Sequence, residues 1–247
     1  MTRPKQTSDR ATTSKRSRRT TPCARPCAAR RLKLSGAVLG PVAAFAGLTA
    51  TVSTGVTAHI DRSTLDWFTW LDQSQPGHLL ARIVVGGGQL WLVGPLVLCA
   101  ASLQARRAGT LRPALVTTVA VAGLSAALAI TKHLVGRTSP HSGLNAVLDQ
   151  GSSYPSGHAA IATLCLPLLV TLSRGARLPA SPSRRPRWVT AAPFAVGIAT
   201  LTLGYHWPTD AVGGWLLGAA FLLPARHVLT FGPVDPRDHP VHQPKAT

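Results

Sequence analysis

Six stretches of the chain contain no Asp, Glu, Lys or Arg, and they limit what the chain can fold into. A helix that spans a bilayer needs about 20 mainly apolar residues, and four of the stretches are 18 to 26 residues long. Buried helices of a soluble protein would usually carry polar faces between them. We therefore predict an all-α membrane protein with six transmembrane helices in one bundle, over residues 35–60, 83–105, 113–131, 157–173, 188–205 and 211–225.

The charged residues lie between these stretches and are distributed unevenly. The chain has 26 Lys and Arg against 8 acidic residues, a net charge of +18, and residues 1–34 hold eleven of the basic ones. Cytoplasmic loops of membrane proteins are enriched in Lys and Arg. The pattern therefore places both termini in the cytoplasm and the loops near 61–82, 132–157 and 206–210 outside it. A nucleic-acid-binding domain would instead collect its basic residues on one folded face, so we predict no nucleic-acid partner.

The two ends of the chain differ in composition from its middle. Residues 1–34 are rich in Thr, Ser, Pro and Arg and have no apolar periodicity, which is typical of a disordered segment. We predict a basic cytoplasmic tail over 1–34, a membrane domain over 35–229 and a short cytoplasmic tail over 230–247. Cys23 and Cys27 resemble half of a metal site, but no second pair follows and structural zinc sites need four ligands. These two cysteines therefore do not predict a metal site, and we expect no cofactor.

Four ionisable residues from distant parts of the sequence are expected at the outer ends of the predicted helices. They are Lys132, His158, His206 and Asp210. Ionisable residues inside a membrane domain are costly and are usually functional. Ser156 is a candidate N-cap and Gly157 leaves the backbone accessible, so the start of the fourth helix is suited to binding an anion beside His158.

His206 and Asp210 are four residues apart, and Pro208 between them favours the first turn of a helix. On one helical face, the carboxylate would hold one imidazole nitrogen in its N–H form and leave the other nitrogen available for attack. His158 would then be placed to give a proton to a leaving oxygen. A His–Asp pair that only caps a helix has the same spacing, so the pattern alone leaves both interpretations open.

The order of these residues resembles the type-2 phosphatidic acid phosphatase family, whose three motifs read Lys-x6-Arg-Pro, Pro-Ser-Gly-His and Ser-Arg-x5-His-x3-Asp. Lys132 begins the first motif, residues 155–158 form the complete second motif, and His206 and Asp210 end the third. The resemblance implies a metal-independent membrane hydrolase that acts outside the cytoplasm on a lipid phosphate or diphosphate. Its partners would be that lipid and the phospholipid bilayer.

The same resemblance implies a role for each matching residue. His206 would be the nucleophile and would form a phosphohistidine, Asp210 would position it, and His158 would protonate the leaving group and later activate water. The phosphoryl oxygens would be held by Lys132, Ser156 and the amide of Gly157.

Two positions depart from the family pattern. Ser139 stands where the first motif has arginine, and Thr200 stands where the third motif has arginine. A guanidinium group offers a permanent charge and two parallel donors, which a hydroxyl group does not. Arg137 lies two residues before Ser139 and is a candidate replacement for the first arginine. The alternative is a catalytically degenerate relative that binds anionic lipid or a membrane partner.

Overall fold

The computed structural model describes residues 25–70, 75–174 and 187–231, and these ranges contain helices and no strand. This confirms the predicted all-α class. A short 3-10 turn over Pro140–Ser142 lies in the long connection between the fifth and sixth helices. The α-helices of the described ranges are α1 Arg25–Ser53, α2 Ala58–Trp70, α3 Gln75–Gly86, α4 Leu90–Ala108, α5 Arg112–Val135, α6 Gly157–Arg174, α7 Trp188–Thr202 and α8 Pro208–Phe231.

Four of the helices are long and apolar enough to cross a bilayer. Their apolar parts are Gly36–Ser53 in α1, Arg112–Ser142 in α5 and beyond it, Gly157–Arg174 in α6, and Pro208–Thr230 in α8. Helices α3 and α4 would form a fifth span if taken together, with a bend of 43° between them. Helix α7 is apolar but has only 15 residues. The described residues thus contain four or five candidate spans, and the predicted number of six is not confirmed.

Two of the predicted helices are interrupted. The stretch over 35–60 is divided because α1 ends at Ser53 and α2 begins at Ala58. The stretch over 83–105 is divided between α3 and α4, where residues 86–88 are three consecutive glycines. Glycine weakens a helix because it loses the most conformational freedom when it is ordered. Hydropathy alone does not register such a break.

The ends of the predicted membrane domain also differ from the structure. Helix α1 begins at Arg25, so residues 25–34 are helical although we predicted them to be part of a disordered tail. This segment contains several Ala and Arg residues, which are good helix formers. Helix α8 continues to Phe231. The remaining parts of both predicted tails, residues 1–24 and 232–247, lie outside the described residues.

Helix α6 lies in the middle of the bundle and packs against α4, α7 and α8. Its contact with α8 is close because α8 carries glycine where the two backbones meet. A Cβ atom at Gly214 would stand 2.5 Å from the carbonyl oxygen of Ser156, closer than real Cβ contacts allow. The close packing holds the beginning of α6, with His158, beside the beginning of α8, with Asp210.

Candidate active site

A cavity of about 510 Å³ lies where α4 and α6 begin and α5 ends. Four of the residues predicted from the sequence line it, namely Lys132, Gly157, His158 and His206. The ring centroids of the two histidines are 6.1 Å apart. The other lining residues are Gly88, Gln89, Leu90, Trp91, Ser152 and Ile161. Residues from three separate parts of the sequence therefore meet at one cavity.

Asp210 lies behind His206 and is completely buried. Its Oδ2 atom is 3.6 Å from Nδ1 of His206, which is too long for a direct hydrogen bond. The hydroxyl of Ser153 is placed between them: it donates to Oδ2 at 2.5 Å and lies 3.4 Å from Nδ1. The backbone N–H of Trp207 donates to the same Oδ2 at 3.0 Å. The carboxylate thus faces one nitrogen of the imidazole and leaves Nε2 as the nitrogen for a reaction.

Two residues at the start of α6 have different positions relative to the cavity. Gly157 is the first residue of the helix, and N–H groups at a helix start have no acceptor within the helix. Ser156 is fully buried and does not line the cavity. Its Oγ accepts from the N–H of Ala159 at 3.4 Å, and its own N–H donates to the carbonyl of Asp210 at 2.9 Å. Ser156 therefore joins α6 to α8, whereas Gly157 is accessible to a ligand.

Lys132 lies in the last turn of α5, and its ammonium group donates to the carbonyl oxygen of Ser152. Both residues line the cavity. Of the described residues, Lys132 is the one Lys or Arg among those that line it. Within the same ranges, no group of three or more His, Cys, Asp or Glu residues is arranged to hold a metal ion.

Arg137 does not line this cavity, and its guanidinium group is buried and makes four hydrogen bonds to other side chains. Nε donates to Asn145 at 3.0 Å, and one terminal nitrogen donates to Thr209 and to Asp210, each at 2.7 Å. The other terminal nitrogen donates to Asp61 at 2.5 Å. The side chain is 1% exposed. Because these donors are occupied and enclosed, the placement does not support the expectation that Arg137 replaces a phosphate-binding arginine.

The two positions that lack the family's arginines are also separated. Ser139 lines a second cavity, of about 390 Å³, which shares Ser152 and His206 with the first cavity. Its other lining residues are Thr138, Ser142, Gln150, Gly151, Ser153 and Tyr205, none of which is cationic. Thr200 is fully buried in α7, where its hydroxyl donates to the carbonyl of Gly197 at 2.6 Å. Neither position supplies the missing charge.

Sequence reasoning missed two residues of this region. Asp61 is fully buried in the first turn of α2 and contacts Arg137, although the sequence suggested only an acid in an outer loop. The available signal was that Asp61 directly follows a long uncharged stretch. Ser153 contacts both Asp210 and His206. No local pattern marks it, because a serine in a loop is common.

The comparisons with known proteins agree with this architecture. The family model described as PAP2 superfamily matches residues 112–231. A similar solved structure is described as the first transmembrane PAP2 type phosphatidylglycerolphosphate phosphatase from Bacillus subtilis. The two chains share 16% identity over 77% of this chain and 94% of that chain, with a TM-score of 0.62. At this identity the likeness concerns the fold. No curated protein matches the chain in sequence.

Proposed function

Because residues 112–231 belong to the PAP2 superfamily, we propose that the protein is an integral-membrane phosphatase that hydrolyses a lipid phosphate or diphosphate. The observation that supports this most directly is the meeting of Lys132, His158 and His206 at one cavity, with Asp210 behind His206. The solved structure with a similar fold is itself described as a membrane phosphatase. The proposed reaction uses no metal or cofactor.

In the proposed first step, Nε2 of His206 attacks the phosphorus atom, and the bond between phosphorus and the leaving oxygen breaks. His158 gives its proton to that oxygen. The product is a phosphohistidine, whose positive imidazole is stabilised by the carboxylate of Asp210. In the second step, His158 takes a proton from water, the resulting hydroxide attacks phosphorus, and the phosphorus–nitrogen bond breaks to release inorganic phosphate.

The proposed phosphate ligands are Lys132 and the amide of Gly157. A helix start attracts anions through its unbonded N–H groups and its dipole, and Lys132 adds a full positive charge. Ser156 is proposed to act indirectly, since its hydrogen bonds hold the start of α6 against α8.

We further propose that the bent pair α3–α4 and the short helix α7 also cross the membrane, which would give six spans. With the basic segments in the cytoplasm, both termini and the tails over 1–34 and 230–247 would be cytoplasmic. The cavity with His158 and His206 would then open on the extracytoplasmic side of the cell membrane.

A second candidate function follows from the replaced arginines. Ser139 and Thr200 add no positive charge, and Lys132 remains as the cationic Lys or Arg of the described cavity lining. A degenerate family member would bind anionic lipid or a membrane partner at this site without hydrolysing a phosphate ester.

Release of inorganic phosphate by the detergent-solubilised full chain separates the two functions. The assay uses phosphatidate, phosphatidylglycerophosphate and a polyprenyl diphosphate, without added metal. We expect release from at least one lipid and none after His206→Ala. His133→Ala is the matched control, because His133 is exposed on α5 and lines neither cavity. If the folded protein releases no phosphate from any of these lipids, the degenerate function replaces the enzymatic one.

A further inference from the structure

Asp61 is a buried carboxylate that belongs to none of the three motifs. It is 0% exposed and lies at the start of α2, far in sequence from the rest of the site. Its Oδ2 accepts hydrogen bonds from Arg137 at 2.5 Å and from the hydroxyl of Thr209 at 2.8 Å. Its Oδ1 accepts from the backbone N–H of Thr209 at 2.9 Å. Burying a charge costs free energy unless the charge is paired and hydrogen-bonded. Both partners of Asp61 adjoin Asp210, because Arg137 also binds Asp210 and Thr209 directly precedes it in the chain.

Arg137 joins two carboxylates that are both buried. One terminal nitrogen contacts Asp61 and the other contacts Oδ1 of Asp210. The opposite oxygen of Asp210, Oδ2, is the one that faces His206. Asp61 and Arg137 therefore hold the rear of the carboxylate whose front faces the proposed nucleophile.

The charges of these three groups do not cancel, because two carboxylates share one guanidinium and the cluster carries one net negative charge. If Arg137 had only Asp210 as a partner, the two charges would balance each other. With Asp61 as a second partner, Asp210 keeps part of its negative charge available to a positively charged imidazole.

We infer that Asp61 is a positioning residue for His206: through Arg137 and Thr209 it fixes the orientation of Asp210 and preserves its negative charge. This inference rests on the proposed function, in which His206 becomes cationic when it is phosphorylated. Asp61 does not touch the substrate, so its contribution belongs to the chemical step rather than to lipid binding.

The first test is Asp61→Asn in the full chain in detergent. Asparagine has nearly the same shape, and its carbonyl can still accept from Thr209. We expect kcat to fall about tenfold or more, as for other groups that orient a reacting residue, while KM changes less than about twofold. Asp66→Asn is the matched control, because Asp66 is an exposed carboxylate on the same helix. Unchanged kcat in folded Asp61→Asn protein overturns the inference.

A double-mutant cycle with Asp210 separates positioning from general loss of structure. If Asp61 acts through Asp210, then Asp61→Asn should lower kcat no further in an Asp210→Asn background. If Asp61 only supports the fold, its effect should be the same in both backgrounds, and that result contradicts the inference. Should Asp61→Asn fail to fold, Thr209→Val replaces it, since the Thr209 hydroxyl donates to Asp61 and accepts from Arg137. Thr209→Val should also lower kcat, but by less than Asp61→Asn.

Binding of orthovanadate gives a readout that does not need turnover. Vanadate accepts a fifth ligand as phosphorus does during attack, and its binding can be followed by tryptophan fluorescence because Trp91 lines the cavity. We expect binding to weaken about tenfold or more in Asp61→Asn. If wild type binds vanadate with this dependence but hydrolyses no lipid, the proposed function fails and the inference stands. If hydrolysis and vanadate binding do not depend on Asp61, only the inference fails. If wild type neither binds vanadate nor hydrolyses lipid, both fail.

Discussion

Replacing Arg137 by glutamine should destabilise the fold strongly, in addition to any effect on activity. The guanidinium group is 1% exposed and contacts two carboxylates that are 0% exposed, Asp61 at 2.5 Å and Asp210 at 2.7 Å. Glutamine has no charge and is too short to reach both. The change would leave two negative groups buried without a cation.

The expected loss can be set from the behaviour of buried ion pairs. Removing one partner of such a pair costs about 3–5 kcal/mol, because the other charge remains buried without compensation. For a chain of this size, 1 kcal/mol corresponds to a shift in the unfolding midpoint of about 2–4 °C, so the midpoint should fall by about 6–20 °C. The double variant Asp61→Asn/Arg137→Gln should recover part of this loss, since it removes one of the two uncompensated charges.

Thermal unfolding in detergent, followed by tryptophan fluorescence and by size-exclusion chromatography, measures this loss. Arg62→Gln is the matched control, because Arg62 follows Asp61 on α2 but is exposed. We expect the control to unfold within about 2 °C of wild type, as surface substitutions usually do. If Arg137→Gln unfolds at the same midpoint as Arg62→Gln, then Arg137 does not neutralise Asp61 and Asp210 in the folded protein, and the interpretation of the buried cluster is wrong.

Three further predictions test the surroundings of the site. Ser139→Arg should raise kcat/KM for phosphate release, by up to about a hundredfold, because it adds a cation to the 390 Å³ cavity beside His206; an unchanged or lower value would contradict this. Gly214→Ala should lower the unfolding midpoint more than Gly47→Ala, because the new Cβ would stand 2.5 Å from a carbonyl oxygen, whereas nothing lies within 4 Å at Gly47; equal midpoints would refute the close packing. Burial raises the pKa of Tyr154 from 10.0 to about 12, so the protonated phenol stabilises the fold below pH 10 and this contribution disappears as pH rises toward 12. Between pH 10 and 12, Tyr154→Phe protein should therefore lose less stability than wild type, as measured by unfolding midpoints in a pH series. Identical losses in the two proteins would contradict the raised pKa of Tyr154.

The positions of the helices could be predicted from hydropathy, but their interruptions could not. The stretch over 83–105 is uncharged throughout, yet the structure divides it at residues 87–89 between α3 and α4. There the backbone passes so close to α6 that a Cβ at Gly88 would stand 2.5 Å from the carbonyl oxygen of His158. The sequence shows the glycine but not the helix that requires it, because that helix lies about 70 residues later in the chain.

The site was predictable to the extent that its residues lie in short motifs. His158 and His206 were found because each has neighbours that specify a helix start, and the structure places both at one cavity. The position of Arg137 could not be predicted, because it contacts Asp61, which is 76 residues away and in no recognisable pattern with it. Proximity in sequence to Ser139 suggested a phosphate ligand. Burial and the four hydrogen-bond partners point instead to a support for Asp210.

The charges around His206 favour hydrolysis over simple binding of an anionic lipid. A site that only bound anions would need the cation of Lys132 and the helix start at Gly157, and a buried cluster with one net negative charge beside it would weaken that binding. The cluster of Asp61, Arg137 and Asp210 is also not explained by fold stability alone. Apolar residues of similar volume often stabilise a folded protein at least as much as a buried ion pair does. It becomes useful when the neighbouring imidazole turns positive, as it does in a phosphohistidine. The groups proposed to support His206 as a nucleophile are therefore all present, whereas the proposed phosphate site has Ser139 and Thr200 where the resembled motifs have arginine. Any lipid hydrolysis should accordingly be limited by phosphate binding rather than by His206.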